Sequence, residues 1–184
     1  MKKEKLKKIR LKKGFTLIET LVAISILMIG VASSLTVAQR SLTASSFTRD
    51  QVTAMYLAQD AFEYIRNQRD KNAFAPTANW LAGIAAPGDP CHSLPCHVDA
   101  KNDQITVCSG GICDFLTKDS DGIYQYGASE ETYFKRTVRV VETGGTDLMA
   151  GEEAKLTVIV EWASGPFQGS RIEAVSYLYN WIAP

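Results

Sequence analysis

Residues 14–39 read GFTLIETLVAISILMIGVASSLTVAQ, and this apolar stretch sets the architecture of the chain. Its last 20 residues, Thr20–Gln39, carry no formal charge, and twenty residues of α-helix span about 30 Å, the thickness of a bilayer's hydrocarbon core. The 13 large apolar side chains between Phe15 and Val37 favour insertion by on the order of −5 kcal/mol. The one carboxylate, Glu19, costs about 2.5–3.5 kcal/mol near the centre of a helix and less near its end. We therefore predict a transmembrane helix over residues 15–39.

The charges of the chain are divided unevenly on the two sides of this stretch. Lysine plus arginine number 20 and aspartate plus glutamate number 20, which gives a formal net charge of zero. Eight of the basic residues and one acidic residue lie in the first 14 positions, so this head carries +7 and residues 15–184 carry −7. Because lysine-rich flanks stay in the cytoplasm, we predict one pass through the cytoplasmic membrane, with the C-terminal domain outside.

Two other interpretations of the apolar stretch fit the sequence less well. A secretory signal peptide should end in small residues at a cleavage site, whereas this stretch continues without a turn or a clear A-x-A site. A buried core helix is disfavoured by the uncharged length and by the dense lysine flank.

The junction between the basic head and the apolar stretch reads KKGFTLIET, Lys12–Thr20. It resembles the class III signal of type IV prepilins and type II secretion pseudopilins. The resemblance implies that residues 1–14 are a leader, which a prepilin peptidase removes by cutting between Gly14 and Phe15, and that the same enzyme N-methylates Phe15. It further implies that residues 15–39 enter a filament core, where Glu19 of one subunit pairs with the N-terminal amine of a neighbour.

Residues 40–72 are predicted to continue the helix as an amphipathic half. Apolar and small side chains recur there at spacings of three and four, and no proline occurs before Pro76. The segment Gln51–Asp70 resembles the PilV group of minor pilins, the pilus modification proteins, and the related I-type pseudopilins. The residues that carry this likeness are Leu57, Ala58, Ile65 and Arg66.

Residues 73–184 are predicted to form a β-rich outer domain. Three segments alternate as strands do, namely Thr132–Val141, Lys155–Trp162 and Arg171–Tyr179, with turns at residues 144–145 and 165–169. We interpret residues 74–90 as a connecting loop with a short helix near residues 79–85. The expected fold class is α+β: a pilin-like roll in which the second half of the long helix packs on an antiparallel β-sheet.

The four cysteines, Cys91, Cys96, Cys108 and Cys113, stand near both histidines, His92 and His97. Six potential ligands within 23 residues suggest zinc, but an even cysteine count in a domain outside the membrane favours two disulfides and no metal. The histidines are then expected to be loop residues. Three pairings remain open; the nested one suits a hairpin, and the local one, 91 with 96 and 108 with 113, suits two tight loops.

The remaining polar features indicate neither an enzyme nor a nucleic-acid site. Asp119–Gly122 does not fit an EF-hand register and is predicted to be a tight acidic turn. Lys135, Arg136 and Arg139 are expected on an ordinary solvated sheet face. No phosphate-binding loop, metalloprotease helix or nucleophile elbow occurs, so we expect no cofactor and no catalytic residue.

The sequence therefore predicts a non-enzymatic subunit, a minor pilin of a type IV pilus. Its expected partners are the prepilin peptidase and N-methyltransferase, other pilins, the inner-membrane assembly platform, and membrane lipid before assembly. Its expected location is the cytoplasmic membrane and then an extracellular pilus or pseudopilus. A type II secretion pseudopilin and a bitopic membrane-anchored binding protein are the alternatives.

Overall fold

The computed structural model describes residues 14–75, 79–128, 130–143, 151–164 and 167–181. Residues 1–13 of the predicted leader lie outside the described residues, as do the predicted turn at residues 144–145 and the start of the turn at residues 165–169. The chain divides into two units, Met1–Ala44 and Ser45–Pro184.

One α-helix, one short 3₁₀ turn at Ser109–Gly111 and seven strands make up the described structure. Helix α1 spans Leu17–Ala73, within two residues of the predicted bounds. The strands are β1 Cys96–Asp99, β2 Gln104–Val107, β3 Phe115–Lys118, β4 Tyr124–Gln125, β5 Glu130–Thr143, β6 Glu153–Ser164 and β7 Phe167–Tyr179.

The second unit is built on an antiparallel sheet with β5 at its centre. One edge of β5 pairs with β6, which in turn pairs with β7. The other edge pairs with β3 and, at a single position, with β1. The short strands β2 and β4 complete the sheet beside β1 and β3. The predicted α+β class is confirmed, with a long helix followed by an antiparallel sheet.

Every second side chain along the central parts of β5 and β6 lies on the buried face of the sheet. In β6 the side chains of Leu156, Val158 and Val160 are fully buried, and the residues between them are partly exposed. This is the two-residue period that the sequence predicts. The outer part of α1 contributes small side chains to the same core, with Ala54 and Ala61 fully buried, and small residues allow a helix to approach a sheet closely.

The segment before the first cysteine is part of the core, which the sequence analysis missed. Trp80, Leu81, Ile84 and Ala85 are all buried in the main apolar cluster. The segment forms consecutive hydrogen-bonded turns, such as that between the Ala82 amide and the Asn79 carbonyl at 2.8 Å, so the predicted short helix is wrong. Residues 80–85, which we call the plug, are therefore part of the apolar core and not a connecting loop.

Arg136 corrects the prediction that a basic group on β5 lies on a solvated face. Its side chain is 1% exposed because it lies on the buried face of β5, together with Phe134 and Val138. The guanidinium donates to the Leu57 carbonyl of α1 at 2.8 Å and to the Val98 carbonyl of β1. It also pairs with the Asp60 carboxylate at 2.8 Å. One buried cation thus joins the helix, β1 and β5.

Two aspartates, Asp103 and Asp119, accept hydrogen bonds at the turns of the β1–β2 and β3–β4 hairpins. Asp119 Oδ1 accepts the amides of Asp121 and Ile123 at 2.9 and 2.8 Å, which is the predicted tight acidic turn. Asp103, at the β1–β2 turn, accepts the Tyr64 hydroxyl at 2.8 Å and so ties that hairpin to α1. Burial, followed by this bond, raises the pKa of Tyr64 to about 12.

Candidate functional site at the helix N-terminus

Helix α1 begins with a side-chain cap formed inside the predicted cleavage motif. Thr16 precedes the first helical residue, and its Oγ1 accepts the Glu19 amide at 3.3 Å. The spacing is that of the T-x-x-E capping box, in which a threonine satisfies an amide that has no partner within the helix. Sequence reasoning missed Thr16 as a functional residue, although this four-residue pattern would have revealed it.

Glu19 lies in the first turn of α1, on the exposed surface of the helix. A negative charge in the first turn is favoured by the helix dipole, which places partial positive charge at the N-terminus. No lysine or arginine in the described part of the chain lies within ion-pair distance of its carboxylate. Phe15, four residues earlier, is 79% exposed. The predicted cleavage site, Gly14–Phe15, and the predicted pairing residue, Glu19, therefore lie at the same end of α1.

The surface of the first unit is apolar. The 13 large apolar side chains between Phe15 and Val37 are each 51–83% exposed. Helix α1 contains an 18-residue window with a mean hydropathy of 2.3, none of it buried, and is long and apolar enough to cross a membrane. Water is a poor solvent for such a surface, so lipid or another apolar helix is the environment that suits it.

The hydroxyl groups of this segment are satisfied within the helix itself. Ser25 donates to the Leu21 carbonyl at 2.8 Å, and Ser33 and Ser34 both donate to the Gly30 carbonyl at 2.9 Å. Thr20 and Thr36 make similar bonds to preceding carbonyls. A hydroxyl paired in this way carries little penalty for burial in an apolar environment. The polar residues of the stretch therefore do not oppose its insertion.

The cysteines form two local disulfides, so the predicted disulfide-containing loop region is confirmed. Cys91 bonds to Cys96 with a Cα–Cα distance of 5.1 Å, and Cys108 bonds to Cys113 with a Cα–Cα distance of 4.6 Å. Of the three pairings left open, this is the local one. The two loops lie together, because the Cys108 amide donates to the Pro95 carbonyl at 2.9 Å.

The two histidines lie apart in structure as well as in environment. His92 is exposed and bonds through Nδ1 to the Ala85 carbonyl at 2.9 Å. His97 lies in β1, not in a loop as expected, and stacks on the Tyr126 ring with centroids 4.2 Å apart. Burial lowers the pKa of His97, against the opposing effects of Asp114 and Asp99. Among the described residues, no group of three or more histidine, cysteine or acidic side chains could hold a metal ion.

The comparisons with known proteins recognise the N-terminal stretch. Residues 9–35 match the family model described as the prokaryotic N-terminal methylation motif. Searches of curated proteins and of solved structures found no match to the chain. The motif points to a structural protein of the pilin type rather than to an enzyme. The match covers the cap, Glu19 and most of the apolar helix surface, and it shows that this chain carries a type IV prepilin-like class III signal, the mark of a prepilin peptidase substrate.

Proposed function

We propose that the chain is a minor pilin, a structural subunit of a type IV pilus. The observation that carries the proposal is the methylation motif at residues 9–35, which includes the start of helix α1 and most of its exposed apolar surface. Prepilin peptidase cuts after Gly14 and methylates Phe15. The helix rests in the cytoplasmic membrane, with the second unit outside, until the inner-membrane assembly platform moves it into a filament.

The geometry of the helix start explains why cutting and assembly use the same residues. Gly14 has no atom within 4 Å of the place that a Cβ would occupy, so a protease can approach the backbone closely. Cleavage creates a positive amine on Phe15, at the positive end of a helix dipole, where a positive charge is unfavourable. Glu19 lies among the exposed apolar side chains of the helix, so its carboxylate loses contact with water once such helices pack together.

Pairing between neighbouring subunits resolves both charges. A carboxylate buried without a partner costs several kcal/mol, and so does a buried amine. The Glu19 carboxylate of one subunit therefore binds the Phe15 amine of the next, and a subunit that enters the filament without this contact leaves two buried charges. This makes Glu19 a residue for assembly rather than for folding, because its side chain is exposed in the single chain.

The two alternatives differ from this proposal in what surrounds the protein. A type II secretion pseudopilin would be processed in the same way but would depend on a secretion machine. A membrane-anchored binding protein would stay in the membrane outside any filament. The test is to shear surface filaments from cells that express the protein, with and without the pilus assembly platform. Recovery in the sheared fraction that depends on the platform supports the proposal, and retention in the membrane under both conditions contradicts it.

A further inference from the structure

A hollow of about 480 Å³ lies where β3, β5, β6 and the start of β7 meet. Its small residues are Ala163 and Gly169, and neither fills the space above the sheet. At Gly169, no atom lies within 4 Å of the place that a Cβ would occupy. Cavities of several hundred Å³ that combine aromatic walls with a few charged groups are typical of binding sites.

Two aromatic side chains of the hollow, Phe115 and Tyr133, are held in place by contacts with neighbouring residues. Tyr133 is 42% exposed, its hydroxyl donates to Asp50 Oδ1 at 2.9 Å, and its ring packs against Phe134 with centroids 4.8 Å apart. Phe115 is 53% exposed, and Lys135 Nζ lies 4.9 Å from the centre of its ring. The binding surface is therefore organised before any ligand arrives, which lowers the entropy cost of binding.

The charges that line the hollow are unbalanced. Glu131 and Glu161 both contribute to it, and neither lies within ion-pair distance of a cation among the residues that the structure describes. Lys135 is the one basic residue of the lining. Two carboxylates against one ammonium leave the hollow with a net negative charge, in a chain whose residues 15–184 carry −7. A cationic group complements this lining.

We propose that this hollow binds the guanidinium group of an arginine side chain presented by a partner protein. A guanidinium is planar and weakly hydrated, so it stacks on an aromatic ring while its N–H groups donate to carboxylates. A lysine ammonium carries the same charge but is more strongly hydrated and cannot stack as a plane. The site does not depend on the filament function proposed above, because it uses only residues of the outer domain.

The test uses the full chain in detergent and the small probe N-acetyl-argininamide. The chain has three tryptophans: Trp162, which is 4% exposed, lines the hollow, whereas Trp80 lies in the segment before Cys91 and Trp181 lies beyond β7. In a ¹H–¹⁵N NMR titration, the indole signal of Trp162 should shift and saturate, and those of Trp80 and Trp181 should not. N-acetyl-citrullinamide, the neutral isostere, should cause no saturable shift, and the lysine analogue should bind more weakly.

Variants separate the contribution of charge from that of shape. Glu131→Gln and Glu161→Gln should each weaken arginine binding about two- to fivefold, and the double variant should abolish saturation. Ala163→Leu should fill the hollow and abolish binding with the charges unchanged. Glu153→Gln, at the other end of β6, is the matched control and should bind as the original chain does. Equal responses to arginine and citrulline, equal binding of arginine and lysine, or no saturable shift would each overturn the proposal.

Discussion

The guanidinium of Arg136 on β5 pairs with the Asp60 carboxylate of α1 at 2.8 Å, and the two residues differ sharply in exposure. The arginine side chain is 1% exposed and the aspartate side chain is 47% exposed. The arginine is thus the desolvated partner. The free-energy cost of desolvating its guanidinium is offset by hydrogen bonds to two further acceptors, the Leu57 and Val98 carbonyls. This contact holds the outer half of the helix to the sheet at one defined position.

Replacement of Arg136 should destabilise the outer domain strongly. Arg136→Met keeps the apolar stem but leaves the Leu57 and Val98 carbonyls without this donor, so we expect a loss of about 3 kcal/mol in the free energy of unfolding. Arg136→Lys should keep only part of this free energy, because one ammonium cannot reproduce the planar set of N–H donors of a guanidinium. Chemical denaturation of the full chain measures both. Arg139→Ala, an exposed position on the same strand, should change stability by less than about 0.5 kcal/mol, and an equal loss there would contradict the assignment.

The two disulfides should contribute unequally despite equal loop lengths. Each closes a loop with a sequence separation of 5, which corresponds to about 2 kcal/mol by loop entropy. The Cys91–Cys96 bond also ties the buried plug that contains Trp80 and Leu81 to β1. We expect the double alanine variant at 91 and 96 to lose more stability than the one at 108 and 113.

Peptide mapping under non-reducing conditions provides the control for this prediction. It should recover Cys91 linked to Cys96 and Cys108 linked to Cys113. A peptide linking Cys96 to Cys108 would show the nested pairing instead and would remove the basis for the comparison.

The depressed pKa of His97 makes stability depend on pH in a defined direction. Because burial lowers its folded-state pKa below the ordinary value of 6.5, the unfolded chain takes up the proton first as the pH falls. The contribution of His97 is therefore complete above pH 6.5 and is lost as the pH falls through the folded-state pKa. Denaturation at pH 7.5 and at successively lower pH should show this loss, and His97→Phe should reduce it.

His92 supplies the matched control, since it is exposed and its imidazole bonds to the Ala85 carbonyl. His92→Gln should keep the pH dependence of the original chain. A His97 imidazole that titrates by NMR at or above 6.5 would contradict the prediction.

Glu19→Ala should separate assembly from processing. The variant removes the one carboxylate of the apolar stretch, so membrane insertion should be retained or improved and the leader should still be cut. Incorporation into sheared filaments should fall at least about tenfold, because the neighbour's amine is left without a partner. Glu63→Ala, an exposed carboxylate later on the same helix, should assemble normally. Normal incorporation of the Glu19 variant would refute the pairing.

The periodic elements could be predicted from the sequence, because their periods report which face is buried. Helix α1 and strands β5, β6 and β7 lie where the three- and two-residue patterns place them, with ends that differ by up to four residues. Strands β1 to β4, of two to four residues each, are too short for any period. Strands β1 and β3 take their place from pairing with β5, and β2 and β4 from pairing with β1 and β3.

Arg136 and the plug at Trp80 show what local patterns miss. The charge of Arg136 favours solvent, but the residue shares a face of β5 with Phe134 and Val138, and this two-residue register indicates burial. The plug has apolar side chains but no regular spacing, so only its packing in the folded domain identifies it as core. The N-terminal site was predictable because a protease reads it as a local sequence.

The mass of the N-terminal peptide tests whether this chain is a processed filament subunit. It should be measured on protein recovered from sheared surface filaments. For the original chain we expect a peptide that begins at N-methylated Phe15. A variant with a bulky residue at Gly14 should keep its leader and should be missing from the filaments. A filament-derived chain that begins at Met1, or Phe15 as the terminus of the Gly14 variant as well, would contradict these expectations.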